Sequence, residues 1–303
     1  MHKIFLAYRL LQALAATLLL LAQPAAAALF DYFTTSPKGN LMIVGGGDTP
    51  GAVQEKFVAL SGGAGKARIA VIPMASMHFD EEAEEVIGDF RKLGADVQLL
   101  EMSREEAHKH SSVELAETFD GYWFLGGDQS RLASILGGTA TIKAIERRYH
   151  EGATVGGTSA GAAIMSAVML TGRWRTAKNE EETEFLSIAK GMKEVSSGFG
   201  FFKGAIVDQH FMKRARYNRL LSAVLDNPQL IGVGIDEETA LLVRPDGMWE
   251  VIGNHYVKIF DARRAKIIED SDSMAKASDI RMHVLPAGST FDPKKRKVVF
   301  PIN

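Results

Sequence analysis

The chain contains no cysteine, which excludes a disulfide, a thiolate metal site, a cysteine nucleophile and lipid attachment through sulfur. Any covalent catalysis falls to another side chain. Net charge is nearly absent too, with 35 Lys and Arg against 37 Asp and Glu, a formal −2. So small a charge gives no general attraction to nucleic acid or an anionic bilayer, and a basic DNA-binding protein is not expected. Internal repeats and low-complexity tracts are missing. Two glycine-rich segments lack the residues that would make them nucleotide motifs. Gly45-Gly46-Gly47-Asp48 would need glycine at Pro50 to read G-x-G-x-x-G, and Gly62 to Lys66 would need glycine at Leu60 and Ser or Thr at Ala67 to form a P-loop. The second reads as a turn. What remains is 303 residues, 46% hydrophobic and 24% charged, the makeup of a folded chain able to bury a large core.

Long hydrophobic runs are scarce, with one exception at the start. Lys3 and Arg9 precede an apolar run from Leu10 to Ala22, which gives way to Gln23, Pro24 and four alanines, Ala25 to Ala28. The run is short of the roughly 20 residues needed to span a bilayer. It reads as a secretory signal peptide over residues 1–28, cleaved after Ala27 or Ala28. The expected product is a periplasmic or secreted protein without a stable membrane anchor, folded as a single domain over residues 29–303. Loss of Lys3 and Arg9 leaves 33 basic residues against 37 acidic ones, a charge of −4.

Along that domain, apolar runs of strand length (Leu41 to Val44, Ile69 to Ile72, Val97 to Leu100, Tyr122 to Leu125) alternate with helix-like stretches such as Glu81 to Leu93. The alternation predicts a mostly parallel α/β sheet. Ala153 to Val155 leads through glycines into Ala160 to Leu170, which reads as a buried helix of small residues. Thr171 to Ser197 is polar and reads as a surface excursion with structure of its own. After Ile231, short runs (Leu241 to Val243, Trp249 to Ile252, Tyr256 to Phe260) predict antiparallel strands extending the sheet. Lys294 to Lys297 reads as a solvated loop before a strand at Val298 to Phe300.

The segment that points to chemistry is Gly157-Thr158-Ser159-Ala160-Gly161, a G-x-S-x-G between a strand and a helix. Small neighbours allow a turn tight enough to project the Ser159 hydroxyl above the sheet. The following helix start aims free N–H groups at developing negative charge. A serine needs a base and a group to orient that base. Asp208-Gln209-His210 ends another strand run, placing His210 on the loop-bearing rim among Lys213, Arg214, Arg216 and Arg219. Asp236-Glu237-Glu238 follows yet another apolar run, as an orienting acid or a plain turn.

Taken together, Phe124-Leu125-Gly126-Gly127-Asp128-Gln129, the Ser159 segment, Asp208-Gln209-His210-Phe211 with its arginines, and Gly234-Ile235-Asp236-Glu237-Glu238-Thr239-Ala240 resemble the cyanophycinases. These belong to the serine peptidase family that also contains the aspartyl dipeptidase peptidase E. The resemblance runs from about Gly45 to Phe260. It implies a three-layer α/β/α fold like that of class I glutamine amidotransferases. It also implies Ser159 as nucleophile, His210 as general base and then acid, and Glu237 as orienting carboxylate, with Asp236 and Glu238 adjacent to it. The oxyanion would sit at N–H groups of Gly127 and Ala160. Gln129, Asp208, Gln209, Arg214, Arg216 and Arg219 would form the substrate pocket. Neither metal nor organic cofactor is required.

Cyanophycin has a polyaspartate backbone with arginine on each side-chain carboxyl, so an exopeptidase releasing β-Asp-Arg must recognise carboxylates and guanidinium groups around the scissile amide. Arginine forks suit the carboxylates. On a helix, Arg216 and Arg219 are neighbours, and Arg214 before it allows all three to converge. Arg216 and Arg219 read as exposed residues whose loss would leave folding intact. The expected partner is a peptide or this polymer, not nucleic acid, and a homodimer is possible. The rival readings are an aspartyl dipeptidase or isopeptidase of the same family, an α/β-hydrolase esterase, and a non-catalytic peptide-binding protein. The esterase order along the chain is Ser, acid, His, whereas here the histidine precedes the acid. A binding protein has no use for Ser159, His210 and Glu237 together.

Overall fold

A computed structural model describes residues 36–77, 80–174, 188–189, 191, 193–268 and 274–301; the leader expected over 1–28 lies outside the described residues. The architecture is that of the unit Lys38–Asn303. Strand β1 (Leu41–Val44) leads into α1 (Gly51–Leu60). The alternation continues through β2 (Arg68–Ile72), α2 (Asp80–Lys92), β3 (Asp96–Leu99), α3 (His110–Ala116), β4 (Gly121–Phe124), α4 (Gln129–Leu136), α5 (Ala140–Glu151) and β5 (Thr154–Thr158). These five strands lie in the order β1, β5, β4, β2, β3, all parallel.

Side chains alternate across a strand with period two, and here that alternation feeds two cores. Leu41, Ile43, Tyr122 and Phe124 pack with Leu132 of α4 and Ile142 of α5. Met42, Val44, Ile69, Val71 and Trp123 pack on the other face with Phe57 of α1 and Phe90 of α2. The expected layering, helices on both faces of a mostly parallel sheet, follows directly. Phe57, Phe90 and Trp123 meet at centroid distances of 4.9 to 5.4 Å, mostly edge to face. Capping fixes the helix starts: the Asp128 carboxylate accepts the N–H groups of Ser130 and Arg131 at α4, and the Thr139 hydroxyl accepts that of Ile142 at α5.

Beyond β5 the chain departs from the helix expected over Ala160 to Leu170. Helix α6 covers only Ala160–Ala163, and β6 (Val168–Trp174) follows, paired antiparallel with β7 (Lys193–Ser197). The physical reason lies in the carbonyls that would have continued the helix. Ile164 and Met165 accept instead from the N–H groups of Phe199 and Phe202, at 2.7 and 2.8 Å. A short buried run of small residues does not distinguish helix from strand by period, and this long-range pairing decides it. The polar excursion is thus framed by a β-ribbon, with 175–187 outside the described residues.

Next come β8 (Ala205–Asp208), α7 (Tyr217–Asp226), β9 (Ile231–Ile235), β10 (Thr239–Val243), β11 (Trp249–Gly253) and β12 (Tyr256–Asp261). The small hairpin pair β13 (Lys266–Ile268) and β14 (Lys276–Ser278) precedes β15 (Arg281–Pro286), β16 (Thr290–Asp292) and β17 (Lys297–Val299). Strands β10, β11, β16 and β17 extend the main sheet beyond β1, antiparallel, to nine strands. Tyr256 to Phe260 does not extend it. That strand, β12, belongs to a second sheet of order β15, β12, β9, β8. The chain changes sheet at Asp236–Glu238, between β9 and β10, and β12 returns to pair with β9. In β9, Ile231, Val233 and Ile235 enter the large core. Gly232 and Gly234 face the other way, where a Cβ would overlap Val224 of α7 and the Phe211 ring. Arg296, expected in a solvated loop, is instead packed on the buried Asp261 carboxylate, its Nε 2.5 Å from one oxygen. A carboxylate with no exposure requires such a partner.

Candidate active site

Strand β1 ends in three consecutive carbonyls, and each is taken by a different part of the chain. Val44 O accepts from Ser159 N at 3.2 Å, Gly45 O from His210 N at 2.6 Å, and Gly46 O from Glu238 N at 2.8 Å. One strand end therefore sets the position of all three segments singled out in the sequence. They come from two sheets: Ser159 follows β5 of the large sheet, His210 follows β8 of the small one, and Glu237 lies where the chain crosses between them.

The backbone at these points is held away from its preferred regions. Ser159 has φ 53° and ψ −112°, His210 φ 48° and Glu238 φ 54°. Such residues cost about 1–3 kcal/mol each and persist where surrounding bonds impose them. The glycines of the motif have a steric reason. A Cβ on Gly157 would stand 2.7 Å from Phe124 O of β4, and one on Gly161 would overlap the same carbonyl. Helix α6 can therefore start hard against β4.

Ser159 Oγ lies 2.8 Å from His210 Nε2, and His210 Nδ1 lies 2.7 Å from Glu237 Oε1. His210 is 8% exposed. Burial holds its pKa below the ordinary 6.5, helped by the positive charge of Arg214 and opposed by the hydrogen bond to Glu237. The imidazole is thus kept neutral and ready to accept a proton. Glu237 is pushed below its ordinary value, chiefly by the His210 hydrogen bond and then by the charges of His210, Lys213 and Arg214. A hydroxyl bonded to a neutral imidazole, whose far nitrogen meets a carboxylate, can lose its proton as it attacks a carbonyl.

Asp236 and Glu238, the adjacent acids, point to other partners. Asp236 is buried, forms an ion pair with Lys258 of β12 at 2.5 Å and accepts Met212 N–H at 3.2 Å. Glu238 accepts from Asn254 Nδ2 at 2.9 Å. Among the described residues, no backbone carbonyl takes the Gly127 or Ala160 N–H. Gly127 has φ 129°, where a Cβ would overlap the Ala75 carbonyl.

A cleft of about 450 Å³ opens over Ser159, and Gly127, Gln129, Gln209 and all three arginines line it. Arg214 is exposed, but the expectation that Arg216 and Arg219 are exposed fails. Arg216 and Arg219 are buried, at 8% and 4% exposure. The cause is Asp208, which stands behind the cleft rather than on its lining, its side chain fully buried. Arg219 grips both of its oxygens, with Nε 2.8 Å from Oδ2 and Nη2 on Oδ1, and Arg216 Nη1 is 3.5 Å from Oδ1. Arg216 also donates to the Gln209 carbonyl at 2.7 Å and to its side-chain oxygen. One carboxylate sets two guanidinium groups, and with Arg214 the cleft retains an excess of positive charge. Gln129 Nε2 donates to Leu170 O at 2.9 Å, tying α4 to β6.

Several contributors escaped the reading of the sequence. Gly46, dismissed with its neighbours as an incomplete nucleotide motif, has φ 102°, and a Cβ there would overlap the His210 ring. Thr171 and Gly172 of β6 also line the cleft, so the polar excursion begins inside the site. The Asp236–Lys258 pair carries no local signal, because its members are 22 residues apart. Among the described residues, no group of three or more His, Asp or Glu is placed to hold a metal ion, and no helix is long and apolar enough to cross a membrane.

Comparison with known proteins gives the family. Residues 41–251 match peptidase family S51. A cyanophycinase from Nostoc sp. is 32% identical over 271 residues, covering 86% of this chain and 88% of that one. A cyanophycinase from Geminocystis herdmanii is 30% identical over 267 residues, covering 85% and 94%. The crystal structure of a peptidase from an acI-B1 Actinobacterium superposes with a TM-score of 0.60 at 27% identity, covering 81% of this chain and 100% of that one. The family match runs from the start of β1 into β11 and so includes Ser159, His210 and Glu237; the chain belongs to peptidase family S51, and it is a serine-type peptidase.

Proposed function

We propose that the protein hydrolyses cyanophycin from a chain end and releases β-Asp-Arg. Ser159 attacks the backbone carbonyl, His210 takes its proton and returns it to the leaving amine, and Glu237 orients the imidazole and stabilises its charged form. The N–H groups of Gly127 and Ala160 hold the oxyanion. Water activated by His210 then frees the acyl group. The observation that carries this reading is the hydrogen-bonded run Ser159–His210–Glu237 opening into a cleft lined by three arginines. The polymer bears a carboxylate on every arginine and at its chain end, and a cleft with excess guanidinium charge suits such groups.

Purified protein incubated with insoluble cyanophycin should yield β-Asp-Arg by mass spectrometry, while α-linked polyaspartate stays intact. The Ser159→Ala protein should yield none. Ready cleavage of aspartyl dipeptides with no release from cyanophycin would replace this reading by the dipeptidase one. We further infer export, from the basic start, apolar run and alanine-rich end of residues 1–28. N-terminal sequencing of the protein from periplasm or medium should begin at Ala28 or Leu29; an intact Met1 on a cytosolic product would end that inference.

A further inference from the structure

A second cavity, of about 620 Å³, is larger than the cleft over Ser159 and belongs to the same end of the sheet. Its floor and walls come from Met74, which follows β2, from Glu101, Met102 and Arg104, which follow β3, and from Arg131 and Ile135 of α4. The C-terminal ends of parallel strands are where open α/β sheets bind ligands. The two hollows share a wall. Gly127 to Gln129 line the Ser159 cleft, Arg131 and Ile135 of the helix that follows line the second cavity, and Asp128 N–H donates to Ala75 O at 2.9 Å between them.

Charge in this cavity is of both signs, Glu101 and Glu106 against Arg104 and Arg131, and Glu106 is already engaged, its carboxylate accepting from the Ser103 N–H and hydroxyl at 2.9 and 2.8 Å. Among the described residues, none of Glu101, Arg104 and Arg131 has an ion-pair partner. The arginines are nonetheless fixed. Arg131 Nε donates to Met74 O at 3.1 Å, and Arg104 Nη1 donates to Ser134 O at 2.7 Å and Gly137 O at 3.1 Å at the end of α4. Each fork keeps further N–H donors. Between the charges lie the apolar side chains of Met74, Met102 and Ile135.

We propose that this cavity is a distal subsite that holds one arginyl side arm of the polymer while another repeat is cut at Ser159. The proposal rests on the cyanophycin reading and adds a second point of attachment to it. Each arm carries a guanidinium, an aliphatic stem and a free carboxylate. Glu101 takes the guanidinium, the two methionines and Ile135 cover the stem, and Arg104 and Arg131 take the carboxylate. A dipeptidase has no use for such a subsite, because nothing of a dipeptide extends beyond the cleft. For a polymer it raises the local concentration of chain ends by holding the chain nearby.

The test compares cyanophycin with a two-repeat oligomer that carries an arginyl arm only on the repeat cut at Ser159, and so offers the second cavity no arm, on wild type, Glu101→Arg and Arg131→Glu. Both sites are exposed, so folding is expected to survive, and thermal unfolding checks it. The expected result is a KM for the polymer raised roughly tenfold, the loss of one charge-assisted contact, with kcat/KM on the oligomer unchanged. Equal losses on both substrates would assign these residues a structural role and overturn the proposal. Unchanged kinetics on both would overturn it as well. Wild type that turns over the oligomer and the polymer keeps the cyanophycin reading whatever the variants do; wild type inert toward both removes the reading and the subsite with it.

Discussion

Replacing Gly46 by alanine tests how the imidazole is held. Two costs follow from the structure. An L-residue at φ 102° is strained by about 1–3 kcal/mol, and the new Cβ overlaps the His210 ring, which in a packed site costs about another 1–3 kcal/mol. Together that is a large share of a typical folding free energy of about 5–15 kcal/mol. The second cost can be relieved by moving the ring, at the expense of the 2.8 Å contact to Ser159 Oγ. A displacement of about 1 Å is enough to lose about 100-fold in rate. Gly63 supplies the control: its φ is 84°, and a Cβ there meets nothing within 4 Å. Gly63→Ala carries the backbone strain without the overlap. Thermal unfolding and kcat/KM on the same samples separate the terms. Gly46→Ala should lose at least 100-fold in kcat/KM, while Gly63→Ala loses only some stability. Wild-type turnover in Gly46→Ala would refute the account of how His210 is placed.

The acid limb of kcat/KM should lie below pH 6.5, since burial lowers the His210 pKa and the base must be neutral. Glu237→Gln removes a bond that raises that pKa and should move the limb lower, whereas Arg214→Gln removes a charge that lowers it and should move the limb higher; shifts of the same sign would contradict the electrostatics. Stability should fall together with pH below 6.5, because the unfolded histidine takes up its proton first, and again below 4.5 as the depressed Glu237 carboxylate loses its advantage; urea titrations at several pH values measure both windows. Lys258→Met strands the buried Asp236 carboxylate and should cost about 3–5 kcal/mol by denaturant unfolding, an effect that Asp236→Asn in the same chain should largely relieve. Asp208→Asn should destabilise the fold and raise KM, because Arg216 and Arg219 lose the carboxylate that aims them; an unchanged KM would detach those arginines from substrate.

The parallel half of the fold is legible because its strands are buried on both faces and read as unbroken apolar runs between helix-length segments. The Ser159 turn is legible for a related reason: two glycines flank it because β4 leaves no room for a Cβ, and that demand is local. What the sequence leaves open is settled by partners far away along the chain. The run Ala160 to Leu170 changes from helix to strand because Phe199 and Phe202, more than 30 residues later, claim the carbonyls of Ile164 and Met165. Tyr256 to Phe260 joins the second sheet because β9 offers it an edge that periodicity does not reveal.

The choice among three adjacent acids follows the same rule. Asp236, Glu237 and Glu238 have the same chemistry in the sequence, yet the fold gives each a different duty. The residue at the end of β9 turns inward to Lys258, and the residue whose N–H meets Gly46 O turns outward to Asn254, which leaves Glu237 between them facing His210. Glu237 is therefore selected by the commitments of its neighbours. The same reasoning recasts Arg216 and Arg219, which a helical spacing presents as a basic surface and which Asp208 draws inward. Three carbonyls at the end of β1 connect these events: Val44, Gly45 and Gly46 hold the serine turn, the histidine and the crossing that carries the acid, so a shift at this strand end moves all three together.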